Sequence, residues 1–444
     1  MNDEDSVDWV LTGGRGMMSI RLRPRFRGAR EASQPARSAS LRANRDFLML
    51  MSGQGVSTLG SKACGLAFPL LALELTHSPA RAGVLGFVSG LPVLLIQLPA
   101  GALVDRWDRK RVMVVCDVGR LLVMVSIPAV ALLFGLSFSF LLITAFINAG
   151  LSVVFSLAEY AALPHVVDAD SIPAAVARNQ TVGQATTVAG QPLGGWLFSL
   201  SPVVPFVANA VSYVVSLITL VAIRGRLYDP PAVPKQPLHR EIAAGVRFVW
   251  SQRLLRALVV LSTTMTLLTG GFTLVVIVLL GRLGASPTEI GMIFGGCGVA
   301  GLAGALVTPR LVARFAPGWL YLASVAASAV LVGLMALARS PLWAGVVAAG
   351  IVALGPLPTV IVQTRRARLI PRHLFGRVYS VEMVASGATA PLACLLSGAL
   401  LSVTSPATTC LLIGGGLLAL TAAATASPAI RRPELPDPRE AAVA

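Results

Sequence analysis

Charge is what this chain has least of. Only 13% of its 444 residues are Asp, Glu, Lys or Arg, against about a quarter in water-soluble globular domains. A soluble fold of this length would lack the polar surface it needs, so that class is excluded. Acidic side chains are scarcer still, with 20 Asp and Glu against 36 Lys and Arg, and there are four histidines. Few groups therefore remain for acid–base catalysis or metal binding. No Walker loop (GxxxxGK[ST]), HExxH pair or GxSxG elbow occurs, so the phosphate cradle, zinc site and nucleophile turn built by those patterns have no counterpart. The expectation is a non-enzyme with no catalytic residues, no metal and no bound cofactor. Without a nucleotide site, active work would draw on an ion gradient, the proton gradient first. Five cysteines (Cys64, Cys116, Cys297, Cys394, Cys410) show no CxxC or paired spacing. They read as small packing residues rather than a disulfide framework or zinc site.

What the chain has in excess is apolar length. Hydrophobic residues make up 55% of it and mean hydropathy is +0.76. Stretches long enough to cross about 30 Å of hydrocarbon at 1.5 Å per residue recur at roughly 47–75, 81–103, 112–134, 137–159, 178–199, 202–222, 257–280, 289–308, 318–338, 341–363, 378–401 and 406–425. Backbone groups in lipid must be satisfied within the segment, so these stretches are helices. The implied fold is an all-α membrane protein of 12 transmembrane helices.

The net charge of +16 suggests nucleic-acid binding until its distribution is examined. Alternate connections hold almost all of it: Arg106, Arg109, Lys110 and Arg111 in one, Arg365, Arg366, Arg368, Arg372 and Arg377 in another, and more in 160–177, 223–256 and 309–317. The opposite set holds only Arg81, Arg282 and Arg339. Basic short loops stay cytoplasmic. The excess is a topology signal, no nucleic-acid partner is expected, and both termini face the cytoplasm of a multi-pass protein in the cell (plasma or inner) membrane.

Five regions follow. Residues 1–46 read as a disordered basic cytoplasmic arm, 47–222 as an N-terminal six-helix bundle, and 223–256 as a cytoplasmic linker. Residues 257–425 read as a C-terminal six-helix bundle and 426–444 as a cytoplasmic tail. The linker carries Ile242, Val246 and Val249 on one helical face with basic residues on others, the pattern of a helix lying on the membrane surface. The halves also repeat. Gly101-Ala102-Leu103-Val104 closes the second span and Gly304-Ala305-Leu306-Val307 the eighth; Arg178 precedes Pro192 by the interval at which Arg377 precedes Pro391. Repeats of that kind place a binding site between halves, near the midplane.

The tight loop between spans two and three reads Gly101-Ala102-Leu103-Val104-Asp105-Arg106-Trp107-Asp108-Arg109-Lys110-Arg111. It resembles the loop 2–3 signature of the major facilitator superfamily: a glycine, an Asp-Arg pair, then a basic cluster. The resemblance implies two six-helix pseudo-repeat bundles and a gating role for Gly101, Asp105, Arg106 and Arg109. The start of span eleven after Gly376-Arg377 is the natural partner for Asp105, because a helix N-terminus favours an anion. A purely topological role for the basic residues is the alternative. The second copy has Thr308 where the aspartate would be. Span five carries Gly190, Pro192, Gly194 and Gly195, similar to the Gly/Pro-rich antiporter motif of drug exporters in that superfamily, although Gln191 takes the usual proline place. Small-residue packing explains these residues too. Asn44-Arg45-Asp46-Phe47, Ala161-Ala162-Leu163-Pro164, Gly245-Val246-Arg247-Phe248 and Phe375-Gly376-Arg377, in that order, are similar to the enterobactin exporter and macrolide efflux group.

Ionisable residues within spans are costly and functional by default. Asp117 and Arg120 stand i, i+3 in span three, as a structural ion pair or with Asp117 as proton carrier. Lys62 sits mid-span one. Glu74, Glu159 and Glu382 lie near span ends, where network roles are expected. Cavity candidates are Gln54, Thr58, Lys62, Asn148, Ser152, Thr263, Thr266 and Gln363, with Thr269 and Thr359 beside them. Asn148 and Gln363 matter most, because a buried amide needs partners. The reading is a monomeric secondary transporter, a proton-coupled exporter of an amphipathic small molecule such as a drug, siderophore or secondary metabolite. An uptake permease on the same fold and a non-transporting membrane protein such as a lipid scramblase are the alternatives.

Overall fold

A chain that must satisfy its backbone in lipid folds into rods, and the computed structural model shows fourteen among its described residues, 44–104, 106–168, 171–225, 247, 250, 253–369 and 375–426. They are α1 (Arg45–Thr76), α2 (Pro79–Val104), α3 (Arg109–Leu133), α4 (Phe138–Val166), α5 (Ile172–Leu200), α6 (Val204–Ala222), α7 (Arg253–Thr269), α8 (Phe272–Arg282), α9 (Pro287–Arg314), α10 (Pro317–Met335), α11 (Pro341–Leu354), α12 (Pro356–Leu369), α13 (Phe375–Val403) and α14 (Pro406–Ala426). No strand occurs among the described residues.

Among the described residues ten runs are long and apolar enough to cross a membrane, two of them broken spans; α5 and α13 stand at the other two predicted spans. The predicted seventh span splits between α7 and α8 at Gly270-Gly271, where α13 presses in: a Cβ on Gly271 would lie 2.0 Å from Ser397 Oγ. The predicted tenth splits between α11 and α12 at Gly355-Pro356, a glycine followed by a residue with no N–H to give the ladder. Other spans outrun their predicted ends. α4 continues past Glu159 to Val166, α5 begins at Ile172 and α9 reaches Arg314. At 1.5 Å per residue these helices exceed the hydrocarbon and project beyond it.

The ends are chemically defined. Asn44 caps α1, accepting from the Phe47 N–H at 3.0 Å, and its amide donates to the Val166 carbonyl at 2.7 Å, tying the start of α1 to the end of α4. Asp46 accepts from the Gly225 N–H at 2.9 Å just beyond α6. Asp108 caps α3 through the N–H groups of Lys110 and Arg111, and Ser286 with Glu289 forms a capping box on α9; each such cap is worth about 1 kcal/mol. Helix α1 thus begins at Arg45, inside the predicted arm. Residues 1–43, 226–246 and 427–444 lie outside the described residues, as do Ile242 and Val249. Arg247 and Trp250 are helical.

Helices α1–α6 pack on one another and α7–α14 do likewise. Two seams join the sets, α2 against α13 and α5 against α9. Both rest on glycine meeting glycine. A Cβ on Gly398 would stand 2.7 Å from Gly83 Cα, and one on Gly195 would stand 2.9 Å from Gly291 Cα, too close for a side chain. Gly90 meets Pro391 and Gly295 meets Pro192 further along the same seams. Large apolar side chains instead cover the outer faces: Leu132, Phe134, Ile218, Trp319 and Leu342 are all exposed. On a soluble protein such a girdle would aggregate; here it is the lipid contact.

Candidate functional site

The deepest polar chemistry lies among α1, α3, α4 and α6. Asp117 and Arg120 of α3 form an ion pair, and both are buried. Ser216 of α6 donates to the second oxygen of Asp117 at 2.7 Å. The Arg120 guanidinium is stacked 4.1 Å from the Phe155 ring centroid and 4.6 Å from that of Tyr213, so its faces are covered by π-systems rather than water. The Tyr213 hydroxyl lies 3.2 Å from Ser61 Oγ, and 3.4 Å from both Asn148 and Asn209. Asn209, Ser212, Tyr213 and Ser216 form a buried stripe along α6. The sequence analysis did not single them out, although their i, i+3, i+4, i+7 spacing marks one helical face.

Glu159 joins the same region from α4. It is buried and accepts from Gln54 Nε2 of α1 at 2.6 Å. Sequence reasoning placed Glu159 at a span end. Nothing in one sequence pairs residues this far apart, and the extra turns of α4 beyond its predicted end were missed.

Among the described residues, the glycine contacts of both seams lie toward one end of the molecule. Along α5 the contacts with α9 run from Val188 through Pro192 to Gly195; before them Arg178, Gln180, Thr181 and Gln184 are exposed. Along α2 the contacts with α13 run from Gly83 to Val93, beyond which Leu95 and Pro99 are exposed. The sealed end is the one opposite the basic loops. An exposed polar face on α5 is unsuited to lipid, which implies a vestibule on this side, toward the basic end.

Lys62 is exposed on α1, its Cβ against Gly190. At 100° per residue it falls between the face that carries Gln54 toward α4 and the face packed on α5 through Ala63, which puts it on the vestibule side with Thr58 and Gly65. No ion pair involves it among the described residues. Ser152 donates to the Asn148 carbonyl of its own helix at 2.7 Å. The other candidates gather elsewhere. Ser262, Met265, Thr266, Thr269, Tyr321, Gly355, Pro358, Thr359, Val362 and Gln363 line a cavity of about 330 Å³ in the second bundle, and both helix breaks border it. Thr266, Thr269 and Thr359 spend their hydroxyl protons on their own helices and offer lone pairs to the cavity. Thr263 is not among the lining residues.

In the loop after α2, Asp105 lies outside the described residues, and so do the side chains near the start of α13. Arg109 donates to the Ala161 carbonyl at 2.8 Å, and Lys110 to the carbonyls of Val221 and Ile223 at 3.2 and 2.6 Å. The latter puts a cation at the C-terminus of α6, where the helix dipole favours it. Arg106 is exposed. A Cβ on Gly101 would meet nothing within 4 Å among the described residues. By contrast Gly304, its counterpart, would collide with the Ala353 carbonyl at 2.0 Å. In the span-five motif, Gly190 and Gly194 seat α5 on α1 while Pro192 and Gly195 seat it on α9.

Two helical bundles, sealed at one end by small-residue seams and opening at the other onto a polar interior, define a membrane transporter of the major facilitator fold. A bacterial homologue of the iron transporter ferroportin, solved in an inward-facing state, superposes with a TM-score of 0.69 over 87% of this chain and 99% of its own at 17% identity. The nucleoside transporter NupG gives 0.66 over 87% and 99% at 13% identity. The chain belongs to the transmembrane secretion effector family of the major facilitator superfamily, whose model matches residues 38–441. It is 28% identical to the multidrug efflux pump Tap of Mycobacterium tuberculosis over 80% of this chain and 84% of that one. It is 24% identical to the enterobactin exporter EntS of Shigella boydii over 76% and 81%.

Proposed function

We propose that this protein is a proton-coupled exporter of an amphipathic organic molecule, working as a monomer by alternating access. The observation that carries the reading is the one-ended opening. Seams of bare backbone contact close one mouth, and the other gives onto Lys62, the polar face of α5 and the hydroxyl-lined cavity. By the charge bias of the loops the open mouth is cytoplasmic, with both termini on that side of the inner membrane, so the structure is the state that loads substrate from inside. Rocking of the bundles would part the seams and bring Gly101 and the basic loop against the second bundle. The names of Tap and EntS support export over uptake. An apolar outer girdle argues against a scramblase, which needs polar residues along a lipid-facing groove.

The test is ethidium flux in proteoliposomes under an imposed pH gradient. Movement of ethidium against the proton flow, abolished by a protonophore, is the expected result. Lys62→Ala should change which dyes are carried, raising transport of ethidium relative to an anionic dye such as fluorescein by several-fold. A proton gradient that drives neither dye would overturn proton-coupled export.

A further inference from the structure

Two carboxylates and one guanidinium are the charged side chains buried in the described residues: Asp117, Glu159 and Arg120. Fully ionised, that set carries one uncompensated negative charge away from water, a state costly enough that a buried group gives up its charge instead. One proton restores neutrality. Where it resides follows from the partners. Asp117 has the guanidinium of Arg120 on one oxygen and the Ser216 hydroxyl on the other, both donors that favour the anion. Glu159 accepts from the Gln54 amide and has no cation within ion-pair distance among the described residues. An amide serves either form of a carboxyl, because it holds both a donor and an acceptor.

We infer that Glu159 is the proton-binding residue of this transporter and that Asp117–Arg120 is a fixed structural pair beside it. The inference rests on the proposed proton coupling and assigns its site. The proton comes from water at the open mouth, since Glu159 stands about two helical turns from the basic end of α4. In the neutral acid the carbonyl oxygen accepts from Gln54, and loss of the proton to water leaves a carboxylate beside the same amide. Gln54 lies on α1, on which α5 is seated through Gly190 and Gly194, and the far half of α5 forms the seam with α9. The protonation state of Glu159 thereby bears on a helix packed against the one that opens and closes between bundles.

The charged and titratable neighbours are few. α3 contributes Asp117 and Arg120, and Arg120 attracts the Glu159 carboxylate while Asp117 repels it. α5 contributes Arg178, which is exposed. α1 contributes Lys62, about two turns further toward the sealed end, and α6 the Tyr213 hydroxyl. On α4 itself His165 follows nearer the basic end, and Arg109 reaches the Ala161 carbonyl. In α2, Arg81 stands at the opposite end.

Infrared difference spectroscopy of the protein in lipid vesicles tests the assignment with no substrate present. A protonated carboxyl gives a carbonyl stretch that a carboxylate lacks. The parent should show this band growing as pH falls and Glu159→Gln should lose it; Asp117→Asn, which leaves Arg120 to balance Glu159 alone, should keep it but only at lower pH. Gln54→Leu puts hydrocarbon where an amide met the carboxylate, which disfavours its charge, so the band should strengthen at fixed pH; this variant carries the test if Glu159→Gln does not fold. Persistence of the band in Glu159→Gln, its appearance at unchanged or higher pH in Asp117→Asn, or no change in Gln54→Leu would overturn the inference. Vesicles that show the Glu159 band but no pH-driven dye flux would instead refute the exporter reading and leave the proton site standing.

Discussion

At the scale of single residues, the Asp117–Arg120 pair is the most exacting feature of the first bundle. Removing one partner of a buried ion pair strands the other and costs about 3–5 kcal/mol, while replacing both with apolar groups of similar size is near neutral. Arg120→Leu should therefore lower the yield of folded, monodisperse protein and its thermal midpoint in detergent, and Asp117→Leu with Arg120→Leu should recover most of the loss. A double variant no more stable than Arg120→Leu would show that the stacking of Arg120 on Phe155 and Tyr213, not its charge balance, is what matters. The spacing of Asp117 and Arg120 made this pair legible in the sequence. The third member was not. Glu159 acquires its significance from Gln54, on a helix that only the fold brings beside it, and from an extension of α4 past the point where apolar composition ends.

At the scale of elements, the seams explain why span five is rich in glycine. Inserting bulk at a packed backbone contact costs about 1–3 kcal/mol, and here that cost falls on one conformation. Gly195→Leu should disfavour the sealed end, shifting the two states by roughly ten-fold or more toward an outward-open form. Gly101→Leu meets open space, so it should leave this inward-open state intact yet block the opposite one. Cysteines placed on the two ends and scored for labelling in vesicles would distinguish these shifts. Equal labelling of Gly195→Leu and the parent would refute the seam as a gate. Helix number and order were legible because hydrophobic length and loop charge are local properties of a chain. The interruptions at Gly270 and Gly355 were not, because each lies within a continuous apolar run and the first owes its close contact to a partner helix, α13.

For the whole molecule, orientation is the property on which transport direction depends. Single cysteines at Arg111 and Arg314 should be closed to an impermeant maleimide in intact cells and open to it in inverted vesicles, while one at Arg282 should show the reverse. Labelling of Arg111 from outside would invert the topology and, with it, the meaning of the open mouth. The sealed mouth has its own consequence. Among the described residues no ion pair crosses it, and Thr288 to Ser199 at 3.0 Å is a lone polar tie between exposed hydroxyls; the rest is backbone lying on backbone. Such a closure answers to the squeeze of the surrounding lipid and hardly at all to dissolved ions. Bilayer thickness and lateral pressure should tune how often this pump resets, while external salt leaves that rhythm unchanged.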